Sequence, residues 1–69
     1  MTLLDLINLQ KKNRERYYFI IYFKGVNIIN TTVRITFTQL LSIIGLNLDY
    51  MKIEYTINSS SVVMIDIKG

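Results

Sequence analysis

Residues 17–23 read Tyr17-Tyr18-Phe19-Ile20-Ile21-Tyr22-Phe23, an unbroken run of aromatic and β-branched side chains. Such residues fit a pleated sheet surface and lose rotamer freedom in a helix. The run therefore predicts a strand. Both of its faces are apolar, so the strand is central or has its second face covered by an interface. Alternation puts Tyr17, Phe19, Ile21 and Phe23 on one side and Tyr18, Ile20 and Tyr22 on the other. If helices cover the first set, the two tyrosines of the second face outward.

Upstream, Thr2 with Asp5 three positions later forms a capping-box start. Leu3, Leu6, Ile7 and Gln10 then share one helical stripe, widened by Leu4 and Leu9, and the reading extends this helix to about Arg14. Downstream, Lys24-Gly25 predicts a turn. Val26 to Thr36 predicts a second strand with Ile29, Val33 and Ile35 on one side. Asn27 and Asn30 weaken its first half, leaving a loop as far as Asn30 as the alternative.

Thr36-Phe37-Thr38-Gln39 is a second capping box, and Phe37, Leu40, Leu41 and Ile44 follow helical spacing up to Gly45 as the stop. Met51, Ile53, Tyr55 and Ile57 alternate with Lys52, Glu54, Thr56 and Asn58, a half-buried strand to which Tyr50 is also assigned. Asn58-Ser59-Ser60-Ser61 turns the chain, and Val63, Ile65 and Ile67 alternate with Met64, Asp66 and Lys68 in a hairpin partner. The expected fold is one α+β domain over residues 1–69. Its order is αββαββ, with two helices on one face of an antiparallel sheet.

The chain has 69 residues, of which 51% are apolar and 19% charged, and it contains no Cys, His, Trp or Pro. Disulfides, zinc fingers, thiol nucleophiles and His-based catalysis are thereby excluded. A domain of this size buries only about 60% of the surface its unfolded chain exposes, so self-association or a partner is favoured. The longest apolar run is Tyr17–Phe23, against about 20 residues for a membrane helix. Met1-Thr2-Leu3 opens no basic, then apolar, leader, so no signal peptide, no membrane and a cytoplasmic location are expected.

General acid–base chemistry would fall to Asp5, Glu15, Asp49, Glu54 and Asp66, no two of which form a recognisable pair. Ser59, Ser60 and Ser61 have no His to activate them. No Gly-rich phosphate loop exists. A non-enzymatic protein without cofactor or metal is expected. Charge is uneven. Residues 1–34 hold six basic and two acidic side chains, a balance of +4, and residues 35–69 a balance of −1. Lys11, Lys12, Arg14 and Arg16 cluster closely enough to touch phosphate, or else they form a solvated helix end. Exposed tyrosines beside them serve either base stacking or the anchoring of a protein, and ordinary core or dimer packing is the plainer use.

Asp5-Leu6-Ile7 opening a helix, the Lys/Asn/Arg-rich stretch from Lys11 to Arg16, and a strand from Tyr17 or Tyr18 to Gly25 together resemble the start of small prophage-encoded anti-CRISPR proteins. The resemblance covers about 22 of the 69 residues, and the 12 Ile and 6 Asn suit an AT-rich genome. It implies an inhibitor that occupies a surface of a CRISPR effector nuclease. Members that do so often imitate DNA with acidic surfaces, whereas this chain is net basic with five acidic residues. An aromatic patch on a protein, or basic contacts to guide RNA, fit it better. The expected function is thus a protein-binding module, contacting its target through Tyr18, Tyr22, Lys24 and the basic run Lys11, Lys12, Arg14 and Arg16. The alternative is a dimeric nucleic-acid-binding regulator.

Overall fold

A computed structural model describes residues 1–44 and 50–69. The elements are α1 (Leu3–Leu9), β1 (Tyr18–Phe23), β2 (Val26–Asn30), α2 (Phe37–Ile43), β3 (Ile53–Ile57) and β4 (Val62–Ile67). The class is α+β and the order αββαββ, as the sequence predicts. The helix stop expected at Gly45 and the carboxylate of Asp49 lie outside the described residues.

The four strands lie in the order β2-β1-β4-β3. Each hairpin is antiparallel, but β1 and β4 pair in parallel, Phe19 beside Val63 and Ile21 beside Ile65. The sheet is therefore mixed, which corrects the expectation of a wholly antiparallel one. The cause is α2. A helix between two strands carries the chain back across the sheet, so β3 starts at the same end as β2 and β4 runs with β1. The two strands with apolar residues on both faces take the centre, and the Asn- and Thr-bearing strands take the edges.

One core joins both helices to one face of the sheet. It comprises Leu3, Leu6 and Ile7 of α1, Phe37, Leu40 and Ile44 from α2 and its end, Tyr17, Phe19 and Ile21, Ile53, and Val63, Ile65 and Ile67. The Phe37 ring meets Phe19 edge-on at 5.1 Å and Tyr17 at 5.4 Å. Both capping boxes form: Thr2 Oγ1 accepts from the Asp5 N–H (3.1 Å), and Thr36 Oγ1 accepts from the Gln39 N–H (3.1 Å).

Three boundaries differ from the sequence reading. Helix α1 ends at Leu9, not near Arg14, because nothing apolar follows to hold another turn against the core. Residues 11–16 are loop, so the basic run is not a helix face. The second strand occupies the half that looked weak, and it stops at Asn30. A bulge between Ile21 and Tyr22 leaves Ile28 without a partner, and the Asn27 amide repairs the ladder by donating to the Ile21 carbonyl (3.1 Å) and to Asn30 Oδ1 (3.0 Å). Val33, expected on one side with Ile29 and Ile35, is 64% exposed, while those two pack against the core. Tyr50 is exposed in the turn before β3 and does not belong to that strand.

Lys24 and Gly25 both have positive φ, 49° and 83°, the conformation that a two-residue hairpin loop requires. No helix among the described residues is long and apolar enough to cross a membrane.

Candidate binding surface

The helices cover only one face of the sheet. Alternation sends Tyr18, Ile20 and Tyr22 of β1 to the other, as the sequence predicts. Parallel pairing sets Tyr18 beside Val62, Ile20 beside Met64 and Tyr22 beside Asp66. The rows continue outward through Asn30 and Asn27 on β2, and through Thr56 and Glu54 on β3. The result is an apolar stripe along the two central strands with a polar margin on each edge strand. Tyr18 is 39% and Met64 44% exposed, and Ile20, Tyr22 and Val62 are half-buried. A shallow cavity of about 230 Å³ opens on the β3 side, lined by Glu54, Tyr55, Thr56, Met64 and Asp66.

A second concave region lies at the sheet end where β1 begins. It has a volume of about 420 Å³ and is lined by Lys11, Asn13, Arg14, Arg16, Thr36 and Thr38. What assembles it is an antiparallel bridge between Tyr17 and Ile35, whose N–H and C=O groups bond reciprocally at 2.8 and 2.9 Å. In that register Arg16 comes opposite Thr36, and Tyr18 opposite Arg34. The Arg34 guanidinium accordingly lies over the Tyr18 ring, 5.9 Å from its centre. Groove and open sheet face therefore adjoin at this bridge.

Glu15 sits within the basic run, yet it is not part of the lining. Its Oε2 accepts the Tyr17 hydroxyl proton at 2.9 Å, while the Asn13 amide donates to the same hydroxyl (3.1 Å) and Asn13 Oδ1 accepts from the Glu15 N–H (2.9 Å). The loop is thus folded around a half-buried tyrosine hydroxyl that holds the one local carboxylate aside.

The anticipated contact residues do not form one site. Lys11, Arg14 and Arg16 share the groove, whereas exposed Lys12 is outside its lining. Tyr18 and Tyr22 share the open face. Lys24 is at the far end of the sheet, in the hairpin loop, its Nζ 5.5 Å from the centre of the Phe23 ring. Sequence reading missed Thr36 and Thr38 in the groove, Arg34 over the Tyr18 ring, and Val62 and Met64 on the face. Alternation did place Met64 opposite Val63 and Ile65, but only the β1–β4 pairing sets it beside Ile20.

At the far end, the Thr2 N–H donates to Asp5 Oδ2 (3.0 Å), and this bond, followed by the Thr2 hydroxyl, holds the Asp5 carboxyl below its ordinary value. Lys68 donates to Asp66 at 2.9 Å, which raises its pKa. No group of three His, Cys, Asp or Glu able to hold a metal ion occurs among the described residues. Comparison with protein-family models finds no match, and comparisons with curated proteins and with solved structures find none either.

Proposed function

We propose that this chain is a non-enzymatic protein-binding module whose docking surface is the open face of the sheet. The observation that carries this reading is the stripe of Tyr18, Ile20, Tyr22, Val62 and Met64 bordered by Asn27, Asn30, Glu54 and Thr56. An apolar centre rich in Tyr and Met with a polar rim is the composition of protein interfaces. The other face of the same sheet receives two helices, so the partner chemistry that suits this one is an amphipathic helix. Basic residues along that helix would lie against Glu54 and Asp66.

The finer reading is inhibition. By the resemblance of about 22 residues in its N-terminal third, the module occupies a surface of a CRISPR effector nuclease, through apolar contact rather than DNA mimicry. Tyrosine anchors at an interface centre carry about 2 kcal/mol or more each, so a charge placed among them is costly. The test compares the native chain with a Tyr22→Arg, Met64→Arg variant for binding and inhibition of a purified CRISPR nuclease. Inhibition by the native chain, and its loss in a variant that keeps the native circular dichroism, supports the reading. Equal inhibition by both rejects the open face. Absence of binding by the native chain removes the inhibitor reading.

A further inference from the structure

The groove between the basic loop and the bridge at Ile35 goes unused if the open face docks a protein. Three cations line it, Lys11, Arg14 and Arg16, together with the hydroxyl-bearing Thr36 and Thr38 and the amide-bearing Asn13, and no carboxylate. The nearest acidic group, Glu15, is held by the Tyr17 hydroxyl. All three cations are exposed, and a gathering of like charge draws an anion. Guanidinium forks and hydroxyl groups suit phosphate oxygens in particular.

We infer that this groove binds the sugar–phosphate backbone of a single-stranded nucleic acid. One observation favours a strand over a duplex or a free anion. The Tyr18 ring with Arg34 over it adjoins the cations through the Tyr17–Ile35 bridge, which sets a stacking platform beside the phosphate contacts. The basic run alone gives only charge. The bridge makes it a site, by bringing residues 11–16 against residues 34–38. The cations of the groove lie apart from the open face, and Tyr18 is the one residue that the two surfaces share.

The probe is a fluorescently labelled oligothymidylate of about 20 nucleotides, followed by anisotropy from 50 to 200 mM salt. Three phosphate contacts at about 0.7 each give a logarithmic salt slope near −2, or about a 20-fold loss of affinity over that range. The K11A/R14A/R16A variant is expected to lose more than tenfold in affinity and to flatten the slope. A K24A/K52A/K68A variant, at the opposite end of the sheet, should keep the slope. A flat slope for the native chain, or equal losses in the two variants, overturns the site. Equal competition by a duplex of the same length overturns the single-strand assignment, and equal competition by inorganic polyphosphate overturns the nucleic-acid assignment. Unchanged melting temperatures in both variants show that charge, not folding, is being read.

Discussion

Two residues define what single side chains do here. Tyr17 buries its ring against Phe37 and Phe19 while its hydroxyl ties Asn13 and Glu15. Tyr17→Phe keeps the packing and removes two hydrogen bonds, so chemical denaturation should show a loss of about 1 kcal/mol. Asp5 offers a second measurement. Its folded pKa lies below the ordinary 3.8, so the unfolded chain takes up the proton first. Its contribution is fully present above that ordinary value and lost as pH falls through the folded one. Between pH 5 and pH 2, Asp5→Asn should show a shallower decline in stability than the native chain; identical pH profiles would dismiss the carboxylate as the cause.

Elements were legible wherever local chemistry decided them. Thr36 and Gln39 announce α2, and the structure shows both halves of the capping box. In a helix of seven residues the cap satisfies a large share of the free N–H groups, so Thr36→Ala should cost about 1 kcal/mol, read as a lower denaturation midpoint. The alternation in residues 17–23 gave the strand and its outward tyrosines for the same local reason. What sequence could not supply depends on distant partners. The parallel pairing of Tyr18 with Val62 joins segments 44 positions apart, and no periodicity encodes it. The Asn27 repair of the bulge likewise needs the Ile21 carbonyl to be in place, so strand propensity alone undervalued β2. The same limit applied to the candidate site. The cations and tyrosines were visible, but not that the Tyr17–Ile35 bridge separates them into a groove and a face.

At the scale of the molecule, the uneven charge of the sequence becomes a polarity in space. Lys11, Lys12, Arg14, Arg16 and Arg34 gather at the end where β1 begins, with Glu15 the one carboxylate among the described residues there. Lys24, Lys52 and Lys68 share the other end with Asp5, Glu54 and Asp66, where opposite charges balance. A field of this kind orients an approaching anion before contact. The apolar stripe runs between the two ends. Without a partner it is best shielded by a second copy, so light scattering should show a dimer that dissociates on dilution. Met64→Lys should shift that equilibrium toward monomer, and a native chain that stays monomeric at high concentration would end the dimer expectation.

The position of β4 carries a consequence for how the protein is made. It follows every other element in the chain, yet it sits between β1 and β3. Until Ile67 has left the ribosome, α1, the first hairpin and α2 have half a sheet to pack on, and β3 has no neighbour. Pairing of such long sequence separation slows folding. The edge of β1 that pairs with β4 thus stays open until β4 is available. The nascent chain is exposed to aggregation and to holding chaperones over that interval, and its sheet closes in a late, concerted step.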